Sequence, residues 1–106
     1  MIINSGKSFD LVYDFLDKDD IECVPETFKY KIINDKTQQI IRQGTLAITD
    51  TTATLPLTVQ DNTVTESEKR RVSVEWTING GADGDSPVFT YNIEKVWLWK
   101  LKEQDG

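Results

Sequence analysis

The sequence contains no histidine and only one cysteine, Cys23, among its 106 residues. Without an imidazole there is no Ser-His-Asp or Cys-His nucleophile pair, no histidine general base and no zinc site of the usual Cys and His kind. Most small hydrolases are excluded on that ground. One cysteine cannot close an internal disulfide, so the fold must hold by packing, and the composition is compatible with synthesis and maturation in a reducing cytoplasm. Basic charge is also short: 12 Lys and Arg stand against 18 Asp and Glu, a net charge of −6 with an isoelectric point near 4.5. Such a balance repels phosphate backbones, and the one compact basic cluster is Lys69-Arg70-Arg71, so no nucleic-acid partner is expected. No apolar run approaches the ~20 residues of a membrane span, and the start, Met1 to Lys7, has no apolar stretch of signal length; no membrane partner is expected either.

What is present is an ordinary folding composition. The chain is 38% hydrophobic with a mean hydropathy of −0.44, well clear of the apolar-poor balance that keeps chains disordered. Its length suits a single domain over residues 1–106. A domain of this size buries roughly two-thirds of its unfolded surface, enough for one core but not for a core plus a deep, walled cleft.

The dominant hydrophobic period is two. From Ser8 to Phe15, Phe9, Leu11, Tyr13 and Phe15 share one face and Asp10, Val12 and Asp14 the other. Asp17-Lys18-Asp19-Asp20 interrupts as a charged turn, and Val24-Pro25 directs the chain into a second strand from Thr27 to Ile33, with Phe28, Tyr30 and Ile32 inward. Asn34-Asp35-Lys36-Thr37 has hairpin-turn chemistry. A third strand is expected over Gln38 to Thr49, bent or bulged at Gly44, with Leu46 and Ile48 inward. Ala53, Leu55, Leu57 and Val59 alternate with polar residues and Pro56, which marks an edge strand or a strand end. Gln60 to Lys69 reads as a loop or a short helical turn. Arg71 to Ile78 is the clearest strand, with Val72, Val74, Trp76 and Ile78 inward, and the glycine-rich stretch Gly80 to Asp85 follows as a connection. A last strand is expected from Pro87 towards Leu101. About seven short strands with regular turn signals and no helical period point to an all-β fold, an antiparallel immunoglobulin-like β-sandwich, with a small barrel as the alternative.

Candidate sites compete with plainer readings. Asp14, Asp17, Asp19, Asp20 and Glu22 form a carboxylate cluster, but Ile21 and Glu22 break the pattern of a helix-loop-helix calcium loop, so a solvated acidic turn is expected and no metal is assigned. Asp83-Gly84-Asp85 reads as a turn, and nothing nearby has the order of a phosphate-binding loop. No cofactor and no catalytic residue are assigned. Val96-Trp97-Leu98-Trp99 is the most informative stretch, because both strand faces are apolar where a sheet with one solvated face shows alternation. Either this is a central strand that the domain itself covers, or Val96, Trp97, Leu98, Trp99 and Leu101 form a partner interface or a sugar-stacking platform.

The order Val24-Pro25-Glu26-Thr27-Phe28-Lys29-Tyr30-Lys31-Ile32, a short turn, Ile40-Ile41, Thr54-Leu55-Pro56-Leu57-Thr58, Glu68 to Val74 and Phe89-Thr90-Tyr91-Asn92-Ile93 resembles small virion proteins of tailed bacteriophages and prophages. The resemblance runs from about Glu22 to Ile93, in strand-and-turn patterns and not in chemical motifs, and the Trp97-Leu98-Trp99 ending lies outside it. It implies an immunoglobulin-like protein with a non-enzymatic structural or decorating role, located in the virion and contacting virion proteins or other copies of itself. A carbohydrate-binding or adhesin-like surface domain using Trp97 and Trp99 is the rival reading.

Overall fold

A computed structural model describes residues 1–17, 19–78, 82–83 and 87–95. Among these residues the chain is all-β, with no helix and with strands β1 (Ile2–Asn4), β2 (Phe9–Asp14), β3 (Thr27–Asn34), β4 (Ile40–Thr45), β5 (Thr52–Leu57), β6 (Glu68–Ile78), β7 (Ala82–Asp83) and β8 (Val88–Glu94). They form two sheets. The larger runs β1-β8-β6-β3-β4, with the two-residue β7 also paired to β6, and the smaller is the pair β2-β5. Every pairing is antiparallel except that of β1 with β8, which is parallel. The sequence expectation of a wholly antiparallel arrangement is corrected there. No alternating run flags Ile2–Asn4 as a strand; it pairs because the edge of β8 is open to it.

The alternation read from sequence is what joins the sheets. In β2, Phe9, Leu11 and Tyr13 turn inward while Asp10, Val12 and Asp14 face solvent. Ala53, Leu55 and Leu57 do the same in β5, and Phe28, Ile32, Val72, Val74, Trp76, Ile78, Tyr91 and Ile93 supply the opposing face of the larger sheet. Contacts between rings stitch the two faces together. Phe9 meets Tyr91 edge to face at 5.0 Å, Phe15, just beyond β2, meets Trp76 at 5.0 Å, and Tyr13 meets Phe28 at 5.6 Å. Of the inward positions Tyr30, Ile32, Val72, Val74, Trp76, Tyr91 and Ile93, Tyr30 is half-buried and the others are buried.

Three expectations need correction. The bulge between β3 and β4 lies not at Gly44 but at Ile41, since Ile32 pairs with Arg42 and Ile33 with Ile40. Gly44 stays in register opposite Tyr30, where a Cβ would come within 2.9 Å of the tyrosine hydroxyl and 3.2 Å of its ring. The glycine makes room for an aromatic ring laid across the strand, an arrangement that protects an otherwise bare edge position. Strand β4 also ends at Thr45, although Leu46 and Ile48 still pack against the core as expected. Val59 is 54% exposed and not inward, because the chain leaves β5 at Leu57 and turns.

Strand β6 begins three residues earlier than its apolar pattern, at Glu68, and so carries Arg70 onto the buried face. At the other end, β8 runs Val88–Glu94, and the stretch from Val96 to Leu101, where the expected strand would continue, lies outside the described residues. Within the glycine-rich connection, Thr77 pairs with Asp83 and Ile78 with Ala82, so part of it extends the β6 edge.

Candidate functional site

The residues singled out as an interface, Val96, Trp97, Leu98, Trp99 and Leu101, lie outside the described residues, as does Lys18 of the acidic turn. In the rest of that turn, the Asp17 carboxylate accepts hydrogen bonds from the Asp19 and Ile21 backbone N–H groups at 2.8 and 3.1 Å. That is a local turn device, and it lets Asp20 adopt a φ of 60°. Among the described residues no three Asp, Glu or Cys side chains converge on one point. The hairpin turn is built the same way: Asn34 accepts from the N–H groups of Lys36 and Thr37.

The basic cluster Lys69-Arg70-Arg71 is divided by strand alternation. Arg70 points inward, 3% exposed, with Nη2 2.9 Å from Glu68 Oε2, while Arg71 and Lys69 point outward and flank Asp35 at 2.7 and 3.8 Å. It is therefore no basic patch. The same alternation gives the larger sheet an outward-facing strip across four strands, in two rows: Thr45-Lys29-Glu75 and Gln43-Lys31-Ser73-Val88. Together they line an open groove of about 490 Å3. No ion pair fixes Lys29 or Lys31 to another described residue.

On the far side of the molecule, the outward face of β2-β5 presents Asp10, Val12 and Asp14 beside Thr52, Thr54 and Pro56. Neither strand carries a lysine or arginine.

Sequence reasoning missed a polar cluster at one end of the core, contributed by the segment after β5. Asp61 is 6% exposed and Asn62 fully buried. The Asn62 side chain accepts from the Tyr91 hydroxyl at 2.7 Å and donates to the Lys7 carbonyl at 2.7 Å, while its own carbonyl accepts from Gly6 N–H in the turn between β1 and β2. Asp61 accepts from Thr58 N–H and lies 3.0 Å from Arg42 Nη2, which also donates to the Pro56 carbonyl; the guanidinium carbon sits 5.2 Å from the centroid of the Tyr30 ring. Arg42 thus spans from the edge of one sheet to the edge of the other. Burial pushes the Tyr91 hydroxyl up to about 12, with Arg70 pulling it down, Asp61 pushing it up and Arg42 pulling it down. Burial raises the Tyr13 pKa as well. The only signal in the sequence was polarity, which a solvated loop shares.

These buried polar groups are engaged in holding segments together. No family model, curated protein or solved structure matches the chain.

Proposed function

We propose that this chain is a virion-associated structural protein of a tailed phage or prophage, an immunoglobulin-like sandwich that acts by contacting other proteins and catalyses no reaction. The strand order supports the immunoglobulin-like part. The set β8-β6-β3-β4 against β2-β5 follows the division of such sandwiches into one sheet of strands G, F, C and C′ and another containing B and E. Phe15 and Trp76 meet between the sheets, in the region where antibody domains place their disulfide.

One observation carries the functional half. Every aromatic side chain among the described residues is buried or half-buried, and Phe9, Tyr13, Tyr30 and Phe89, the half-buried ones, pack against the core. A sugar platform needs an exposed ring, and among the described residues the solvent-facing strips of both sheets present none, only charged and small polar groups around isolated valines. That favours the structural reading and leaves Trp97 and Trp99 as the residues on which the carbohydrate alternative rests.

Two measurements test the proposal. Mass spectrometry of particles purified from an induced host should find this chain banding with the virions, and its absence would reject the virion assignment. A glycan array probed with parent protein and with a Trp97→Ala, Trp99→Ala double variant should show no binding; specific glycan binding lost in the variant would install the carbohydrate reading instead.

A further inference from the structure

The molecule carries opposite charge on opposite outer faces, although its net charge is −6. The outward face of β2-β5 has Asp10 and Asp14 on either side of Val12, which is 67% exposed, and no cation on either strand. The outward groove of the larger sheet has Lys29 and Lys31 in no ion pair with another described residue, with Glu75 as the one carboxylate among the described residues of its lining and Val88, 58% exposed, at its rim. Because the inner faces of the two sheets pack on each other through Phe9 and Tyr91, and through Tyr13 and Phe28, these surfaces point away from each other.

We propose that copies of this chain associate head to tail, the Asp10–Val12–Asp14 face of one seated on the Lys29–Lys31 groove of the next. This rests on the protein-contact reading above and names a partner for it. The occupant is a second copy because the groove supplies what the acidic face lacks, and each copy carries both halves. Along a strand Asp10 and Asp14 lie about 13 Å apart with Val12 midway, and the long stems of Lys29 and Lys31 can spread their ammonium groups to either side of that valine. A two-fold contact would oppose like charge to like, so the joint is heterologous and builds an open row or a closed ring. The net negative charge does not forbid it. At physiological salt the Debye length is about 8 Å, so charges in contact across the joint count while distant ones are screened. Exposed pairs of this kind orient more than they bind, which makes the association weak and sensitive to salt.

Sedimentation and light scattering on concentrated protein provide the test, with circular dichroism as the check on folding. The parent should self-associate at about 0.15 M salt and dissociate at about 1 M, where the Debye length falls to ~3 Å. Reversing one face, by Asp10→Lys with Asp14→Lys or by Lys29→Glu with Lys31→Glu, should give a monomer, and mixing the two reversed proteins should restore association. Should a reversed variant fail to fold, the neutral pairs Asp10→Asn, Asp14→Asn and Lys29→Gln, Lys31→Gln replace it, and each should weaken association about tenfold or more. A parent that is monomeric at about 0.15 M salt, or association that survives both reversals, overturns the proposal. Association that survives the reversals but disappears in the Trp97→Ala, Trp99→Ala variant also rejects this joint, while leaving the protein-contact reading in place.

Discussion

Tyr91 shows how much one residue can hold. Its ring fills the core against Phe9 and Phe89, and its hydroxyl donates to Asn62, which in turn ties down Lys7. Replacing it with Phe keeps the packing but leaves Asn62 Oδ1 buried without its donor, a loss of about 1–3 kcal/mol measurable by urea melts. The hydroxyl also couples folding to pH. Folding raises its pKa from 10.0 to about 12, so the folded state holds the proton where the unfolded state releases it. That contribution is complete below pH 10 and is lost as pH climbs to about 12, and half-buried Tyr13 acts in the same direction. The parent should therefore lose stability across this window more steeply than Tyr91→Phe; parallel curves would show that Tyr91 is not the coupled group.

At the scale of elements, β3 and β4 are held by an unusual pair. Tyr30 lies across Gly44, and Arg42, on the same face of β4, covers the tyrosine ring while reaching to Pro56 and Asp61. A methyl group at position 44 cannot coexist with the ring as placed. Gly44→Ala should displace Tyr30, loosen the Arg42 link between the sheets and cost about 1–3 kcal/mol, the range for forcing extra volume into a packed place. If the paired change Gly44→Ala, Tyr30→Ala is no worse than Tyr30→Ala alone, the clash is the cause; an undiminished extra loss would point to the backbone instead.

The whole molecule hangs on a shared core. Trp76 of β6 touches Phe28 within its own sheet and Phe15 beside the other, and is 6% exposed. Trp76→Ala should cost about 3–5 kcal/mol, a large part of the stability of a small domain, and because both sheets use this contact they should melt in a single transition. Trp76→Phe should cost less, since the indole Nε1 finds no hydrogen-bond partner among the described residues and its removal strands nothing. Two separated transitions in the parent, or a melting point unchanged by Trp76→Ala, would mean that the sheets do not share this core.

Strand alternation was legible in the sequence because burial on one face of a pleated strand imposes a period of two whatever the neighbours are. Phe9, Leu11, Tyr13, Val72, Val74 and Trp76 face inward as that rule requires, and Pro56 sits in β5, which pairs with β2 alone among the described residues. Local turn chemistry at Asn34 was readable for the same reason: its partners lie two and three residues away. Pairing across long separations was not. That Ile2–Asn4 lies parallel to β8, that Gly44 accommodates a ring instead of a bulge, and that Asn62 is buried under Tyr91 depend on which strands become neighbours, which no local pattern encodes. The opposed faces have the same origin. Asp10, Asp14, Lys29 and Lys31 are each readable as solvent-facing, but only the packing of one sheet on the other turns the aspartates and the lysines towards opposite sides of the molecule.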